Sequence, residues 1–221
     1  MKSLVLDTLF ENLSLGLLED HEVRALLYTH CRRRNAKIVL AQLQELLRNL
    51  NWDLEYLDEL IVNRGPGSYT GVRIALSVVR TIAQVLKLPI RCVTSLEVMA
   101  FQVSPRLKPF PVMLNCTRQE VFWAWFEFNE KGFPEMTSEI ELAVLKDLPN
   151  VVLESPVHML QLGQRRDLEL NKLEKLFLHY PVPDAWMVHQ AVHLGQVKAL
   201  PIEQVQPLYI KKDVQIKSLI R

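Results

Sequence analysis

The sequence predicts an α/β fold with mixed sheets flanked by helices. Short apolar or alternating runs fill the first thirty residues, and helical and strand patterns then alternate along the chain. A strand-rich opening followed by helix, strand, helix and strand is typical of this class. The 221 residues are 49% apolar and 23% charged, which excludes disordered, collagen-like and disulfide-scaffold chains.

The first thirty residues predict a β-meander, and a helix follows it. Strands are expected over Leu4–Leu6, Leu13–Leu18 and Val23–Tyr28, with polar turns between them. Apolar residues then recur at spacings of three and four between Ala36 and Asn49, which predicts one amphipathic helix.

A second helix is expected over Gly71–Leu86, after a short strand at Glu59–Asn63. Its polar residues form one narrow stripe, and the rest of its surface is apolar. An ordinary surface helix has a narrower apolar arc, so this helix must be covered on more than one side. The cover is either a neighbouring helix of the same chain or a partner chain.

Ten of the twelve prolines lie beyond residue 100, which makes the second half more broken than the first. We therefore expect an N-terminal lobe over 1–104 and a smaller C-terminal lobe over 105–221, whose last segment packs back on the first. The remaining predicted elements are strands at Ile90–Thr94, Val112–Leu114, Val121–Phe128 and Val151–Leu153, and helices at Leu96–Ala100 (N-capped by Ser95), Val157–Leu162 and Ala185–Leu194.

Glycine is scarce, yet three of the seven glycines, Gly65, Gly67 and Gly71, lie within seven residues. The cluster sits between a predicted strand and a predicted helix, where α/β proteins place phosphate-binding loops. It lacks the Lys-Ser/Thr ending of a P-loop and departs from the dinucleotide-binding pattern. The cluster is therefore either a phosphate or nucleotide site, with Ser68 as a further contact, or a structural turn.

Asp7 and Thr8 follow the first predicted strand. An acidic residue beside a hydroxyl at such a turn can hold a magnesium–phosphate unit, or it can form an Asx-turn. The candidate cofactor-binding residues are Asp7, Thr8, Gly65, Gly67 and Ser68.

No catalytic or metal-binding residues are predicted. His189 and His193 share a helix face, but a metal site needs a third ligand, and a zinc protease would need Glu where Gln190 stands. No Ser/His/Asp or Cys/His arrangement is recognisable. The basic run Arg32–Arg34 could contact RNA phosphate, or it could be a solvated helix entrance.

The charge balance and the cysteines limit the class of protein further. The net charge of +1 gives no general footprint for nucleic acid. The three cysteines are odd in number and far apart, which predicts reduced thiols in a cytoplasmic protein. No stretch approaches about 18 apolar residues, so we expect no membrane contact.

Several motifs resemble one known family. Arg64–Ile74 (RGPGSYTGVRI) is similar to the signature of the TsaB (YeaZ) family of bacterial tRNA threonylcarbamoyladenosine biosynthesis proteins. Leu4–Thr8, Arg118–Phe122 and Pro207–Ile210 resemble the opening strand and turn, the hairpin and the C-terminal motif of that family. The resemblance is dense over residues 1–128 and thin from about 130 to 200.

The resemblance implies a two-lobed actin-like/Hsp70-like ATPase fold and a paralogue of the catalytic subunit TsaD. It implies a non-catalytic subunit that supports TsaD, together with a TsaE-like ATPase, in threonylcarbamoyl transfer to adenosine 37 of tRNAs reading ANN codons. This subunit would require no cofactor, and ATP and Mg²⁺ would bind the partner subunit. tRNA would bind the complex, and the chain alone could form a homodimer.

The resemblance also implies that the two long helices join TsaD in a helix bundle. The side chains expected at that interface are Val39, Leu43, Leu46, Leu47, Val72, Leu76, Val79 and Ala83. The alternative function is an independent nucleotide- or phosphate-binding enzyme that uses the Asp7–Thr8 turn and the Gly65–Gly71 loop.

Two departures from the family pattern argue against catalysis. Asn35-Ala36-Lys37 stands where the family has His-Ser-Glu, and Asn115-Cys116-Thr117 stands where it has Asp-Ala-Arg. Both changes remove polar groups that a nucleotide or metal site could use. Asn35 is still expected to serve as a helix N-cap.

Overall fold

The computed structural model describes residues 1–31, 35–105, 108–117, 119–150, 152, 157–160, 177–179 and 182–210. The predictions for Arg32–Arg34, for Arg118 and for Val151 and Leu153 lie outside these ranges. The strand predicted over Val151–Leu153 is wrong at its one described residue, because Val152 is helical and its N–H donates to the carbonyl of Pro149. None of the helices in the described part of the chain combines the length and hydrophobicity that crossing a bilayer would require.

The first sheet is built mainly from the first hundred residues. Its strands are β1 (Lys2–Asp7), β2 (Asn12–Glu19), β3 (Glu22–His30), β4 (Glu59–Asn63) and β5 (Ile90–Val93). β1, β2 and β3 form the predicted antiparallel meander; β4 pairs in parallel with β1, and β5 pairs in parallel with β4. The strands therefore lie in the order β5-β4-β1-β2-β3.

Two long helices cover one face of this sheet. They are α1 (Asn35–Asn49) and α2 (Tyr69–Leu86). α2 ends where Lys87 takes a left-handed conformation two residues before Pro89, and proline cannot continue a helix. Both helices lie within two residues of their predicted bounds.

A short helix, α3 (Ser95–Ala100), follows β5, and its N-cap differs from the prediction. Thr94, not Ser95, is the cap: its hydroxyl accepts the N–H of Glu97, and the Glu97 carboxylate accepts the N–H of Thr94. The Ser95 hydroxyl instead donates to the carbonyl of Pro66 at 2.7 Å. Ser95 is therefore used to hold the glycine-rich turn.

The second sheet comes from the middle of the chain. Its strands are β6 (Phe110–Asn115), β7 (Glu120–Phe128), β8 (Pro134–Met136), β9 (Glu141–Val144), β10 (Val157–Leu160) and β11 (Phe177–His179). The order is β11-β10-β6-β7-β8, and β9 also pairs with β7.

The helix predicted over Val157–Leu162 is wrong, because residues 157–160 form strand β10 parallel to β6. A short apolar run fits either a strand or a buried helical turn, and periodicity alone cannot separate the two. Pairing in parallel with β6 makes this run a strand.

The second sheet repeats the topology of the first, although the sequence shows no internal repeat. In each sheet, three consecutive strands form an antiparallel meander. A later strand pairs in parallel with the first strand of the meander, and a further strand pairs in parallel with that one. The chain thus builds the same arrangement twice with unrelated residues.

The chain then returns to the first sheet. Helix α4 (Ala185–Leu194) packs on the face opposite α1 and α2, and β12 (Ala199–Leu200) pairs with β5. The close approach of α4 depends on Gly16, where a Cβ would lie 3.0 Å from the Cβ of Ala185.

The start of α2 lies directly on the turn after β1. A Cβ at Gly71 would lie 2.1 Å from the carbonyl oxygen of Thr8, so only glycine fits at this position. The Thr8 hydroxyl donates to the carbonyl of Gly71 at 2.7 Å, and the N–H of Ser68 donates to the carbonyl of Leu9 at 3.1 Å. These contacts orient α2 relative to the sheet.

We predict that Gly71→Ala lowers the free energy of unfolding by at least about 2 kcal/mol, because both backbones must move to make room for the methyl group. Ser77→Ala, on the exposed face of the same helix, is the control and should change stability by less than about 0.5 kcal/mol. Urea unfolding followed by circular dichroism measures both values. Equal stability of the two variants would contradict the assigned contact.

Candidate functional site

The structure brings the five candidate cofactor-binding residues together at one edge of the first sheet. β1 and β4 are parallel neighbours, and the turns that follow them meet where both strands end. The glycine-rich turn packs against the turn after β1, since a Cβ at Gly67 would lie 3.1 Å from the Leu9 side chain. Gly65 has φ of 102°, which favours glycine.

The polar groups of these residues bond to one another. Asp7 is buried; one carboxylate oxygen accepts the N–H of Leu9 at 2.8 Å, and the other accepts the side-chain amide of Asn63 at 3.0 Å. The side-chain oxygen of Asn63 in turn accepts the N–H of Gly65 at 3.1 Å. Ser68 accepts the N–H of Gly71 and caps α2. Each of these bonds joins two groups of the protein itself.

The environment of Asp7 shifts its ionisation. Burial raises the pKa of the Asp7 carboxyl to about 6, although the hydrogen bonds from Leu9 and Asn63 act in the opposite direction. The fold therefore favours the protonated carboxyl, and ionising Asp7 near neutral pH lowers the stability of the folded protein.

The predicted interface residues are mostly buried within the chain itself. Leu46 is partly buried, and the other seven lie in the chain's own core. A core side chain cannot contact a partner unless the chain opens, so the candidate contact surface shifts to the outward-facing residues of the same helices. The side chains placed in the core are Val39, Leu43, Leu47, Val72, Leu76, Val79 and Ala83.

An open groove lies between α1 and α2. It has a volume of about 350 Å³ and is lined by Ala36, Val39, Leu40, Tyr69, Thr70, Arg73, Ile74, Ser77 and Val78. Leu40 is 57% exposed and Tyr69 is 59% exposed, although both are large and apolar or aromatic. Arg73 lies over the Tyr69 ring at 5.3 Å, and the ring centroid of Tyr209 lies 5.4 Å from that of Tyr69. We name this surface the α1–α2 groove.

Thr8 connects the two walls of the groove. Its hydroxyl bonds to the first turn of α2, and its carbonyl accepts the amide of Asn35, the first residue of α1, at 3.3 Å. The same amide donates to the carbonyl of Asn12 at 3.2 Å. Asn35 is thus not the predicted N-cap: its side-chain oxygen has no partner among the described residues, and its amide ties α1 to the β1–β2 turn.

The sequence did not reveal that a third histidine lies beside His189 and His193. His21, in the turn between β2 and β3, has its ring centroid 4.4 Å from that of His193. Burial lowers the pKa of His189 to about 4, and the two neighbouring imidazoles act in the same direction. No local pattern predicts this grouping, because His21 and α4 lie at opposite ends of the chain.

Glu59 lies beside this histidine cluster. Burial alone would raise the pKa of Glu59, but hydrogen bonds from His193, Ser3 and Arg91 outweigh burial and lower the pKa to about 2. The carboxylate therefore stays charged at neutral pH.

The raised pKa of Asp7 predicts a pH-dependent difference between the wild type and Asp7→Asn. The folded protein binds the Asp7 proton more tightly than the unfolded chain, so the protonated carboxyl stabilises the fold at low pH. The wild type loses this stabilisation as the pH rises from about 4 through about 6. Relative to Asp7→Asn, the wild type should therefore lose on the order of 3 kcal/mol between pH 4 and pH 7.

Urea unfolding of both proteins at several pH values measures this difference. Glu59 and His189 titrate in both proteins, so their contributions cancel. A difference that stays constant from pH 4 to pH 7 would show that the Asp7 carboxyl is not shifted.

Comparisons with known proteins place the chain in a family. The model of the family described as TsaD, tRNA N6-adenosine threonylcarbamoyltransferase, matches residues 29–183. The chain is 27% identical to the tRNA threonylcarbamoyladenosine biosynthesis protein TsaB of Escherichia coli K12, over 99% of this chain and 98% of that protein. It is 26% identical to the TsaB protein of Bacillus subtilis 168, over 79% and 76% of the two chains.

Solved structures agree with the fold. The structure described as YeaZ from Pseudomonas aeruginosa superposes with a TM-score of 0.75 at 21% identity, over 95% of this chain and 99% of that one. A second structure, of a protein with similarity to peptidase YeaZ from the same organism, gives a TM-score of 0.77 at 20% identity over the same shares. The predicted α/β class and the actin-like fold are confirmed. The chain belongs to the TsaD family, and within it to the TsaB (YeaZ) group of tRNA threonylcarbamoyladenosine biosynthesis proteins.

Proposed function

We propose that the chain is a non-catalytic subunit that binds and supports a TsaD-like catalytic subunit. The supported reaction is threonylcarbamoyl transfer to adenosine 37 of tRNAs reading ANN codons, with a TsaE-like ATPase and tRNA present in the complex. The observation that carries the proposal is the contrast between two surfaces: the glycine-rich turn is hydrogen-bonded internally, whereas the α1–α2 groove is open and apolar.

The polar groups of the glycine-rich turn and of the turn after β1 already bond within the chain, which leaves few of them to bind a nucleotide. The Asp7 carboxylate and the Thr8 hydroxyl both bond within the fold, and Gly71 lies against the backbone of Thr8. A phosphate site at a helix N-terminus needs free N–H groups and room for the anion. We therefore place ATP and Mg²⁺ in the partner subunit and propose that this subunit requires no nucleotide of its own.

The α1–α2 groove has the composition of a contact surface for helices. Leu40, Ile74 and Val78 line it, and Tyr69 and Arg73 border it. Aromatic residues and arginine are enriched where protein interfaces carry most of their binding energy. Leu40 is exposed, whereas Ile74 and Val78 are already partly buried against the chain's own core. Covering the three side chains would therefore contribute a few kcal/mol, since about 1.5–3 kcal/mol applies only to a side chain that goes from exposed to fully buried, before ordering costs.

The partner proposed for this groove is the helix pair of the TsaD-like subunit. A second copy of this chain could use the same groove when the partner is absent, because an isologous contact needs only one self-complementary patch. Light scattering of the isolated chain and of the mixture distinguishes the two complexes.

We predict that Leu40→Asp, on α1, and Ser77→Arg, on α2, each weaken binding to the TsaD-like subunit of the same organism at least tenfold. Both positions are exposed, so the chain should stay folded, but a charge or a long side chain then lies in the groove. Val85→Asp is the control, since Val85 is 72% exposed on α2 and does not line the groove.

Calorimetry measures the three affinities, and a tRNA-modification assay with the TsaD-like and TsaE-like proteins measures the consequence. Normal binding by both groove variants would refute the groove as the interface. A wild-type protein that neither binds the TsaD-like subunit nor stimulates modification would refute the proposed function.

We predict that the isolated chain shows no micromolar binding of ATP with Mg²⁺ in calorimetry, because the groups that could hold the phosphates already bond to one another. Micromolar binding that disappears in a folded Asp7→Ala variant would contradict this expectation. It would favour the alternative, an independent nucleotide- or phosphate-binding enzyme.

A further inference from the structure

Three histidines from opposite ends of the chain meet beside the first sheet. His21 lies in the turn between β2 and β3, and His189 and His193 lie one helical turn apart on α4. Each offers a ring nitrogen, and these nitrogens lie within 4.8 Å of one another. The ring centroids of His189 and His193 are 4.3 Å apart. Imidazole nitrogen is a preferred ligand of zinc and other late first-row metal ions.

His189 has no hydrogen-bond partner although it is buried. The residue is 2% exposed, and neither of its ring nitrogens finds a partner among the described residues. A buried polar group without a partner destabilises a fold, so an isolated structural role does not explain a histidine here. A metal ion bound to one ring nitrogen of His189 would give that nitrogen a partner.

His193 is oriented by a buried carboxylate. Its Nε2 lies 2.9 Å from Glu59, which also accepts the Ser3 hydroxyl at 2.6 Å and the Arg91 guanidinium at 2.8 Å. When Nε2 donates to the carboxylate, Nδ1 keeps the lone pair that a metal needs. A carboxylate on the second nitrogen is the usual partner of a metal-ligating histidine.

His21 completes the cluster from an exposed position. Asp20 and His21 form a two-residue connection between β2 and β3, and both have positive φ angles, 50° and 69°. The turn points the His21 side chain at α4, with the His21 ring 5.5 Å from that of His189. Because His21 is exposed, its side chain can rotate to shorten the distance to a bound ion.

We propose that His21, His189 and His193 form a Zn²⁺ site. Zinc–nitrogen bonds of about 2.0–2.1 Å place the nitrogens of a tetrahedral site about 3.4 Å apart, which small side-chain rotations reach from the present arrangement. Water takes the fourth position on the solvent side of His21. The ion lies near the C-terminal end of α4, where the helix dipole favours a cation. It would tie the β2–β3 turn to α4.

The site is tested on untagged protein stripped of metal with a chelator. Calorimetry should show one Zn²⁺ bound per chain, and thermal unfolding should shift to higher temperature when Zn²⁺ is added. Co²⁺ should give the visible bands of a low-coordinate site without the thiolate bands that binding at the exposed Cys116 would produce. Absence of stoichiometric Zn²⁺ binding, or thiolate bands, would overturn the proposal.

The decisive variant is His21→Asn. Asparagine tolerates the left-handed conformation of this turn and position 21 is exposed, so the variant should fold. Its Zn²⁺ affinity should fall at least tenfold. His30→Asn, which changes an exposed histidine on β3 outside the cluster, is the matched control and should bind as the wild type does. Equal affinities of the two variants would overturn the assignment of His21 as a ligand.

Discussion

The contact between Gly71 and Thr8 is the constraint on which the rest of the structure depends. Without a Cβ at position 71, the first turn of α2 lies against the carbonyl of Thr8, and the Thr8 hydroxyl bonds to it. The same Thr8 carbonyl accepts the Asn35 amide at the start of α1. One short turn thus sets the position of both long helices on the sheet, and with it the shape of the groove between them.

The contact between Gly71 and Thr8 bears on both candidate sites, the glycine-rich turn and the α1–α2 groove. The Asp7 carboxylate lies beneath the glycine-rich turn and bonds to Leu9 and Asn63, so the place where α/β proteins often hold phosphate is filled by the protein's own groups. The inner faces of α1 and α2 are buried on the sheet, whereas Leu40 on the outer face of α1 is exposed. The internally bonded turn and the open groove together support the proposed role, assembly with a catalytic relative.

The two sheets share one continuous core, and α3 connects them. Leu96 and Met99 of α3 belong to the same buried cluster as Phe110 and Phe126 of the second sheet. The capping box at Thr94 and the bond from Ser95 to Pro66 place this short helix against the glycine-rich turn. α3 therefore links the second sheet to the turn that orients α2.

The sequence by itself determined the strands of the first sheet and its two long helices, because Val39, Leu43 and Leu47 recur at helical spacing and the strands carry continuous apolar runs. The motif at Arg64–Ile74 also indicated the family. Only the tertiary structure decided which apolar face is buried, that 157–160 pair as a strand, and that His21 meets α4. Periodicity reports local geometry, whereas burial, strand pairing and side-chain clusters depend on contacts between residues far apart in the chain.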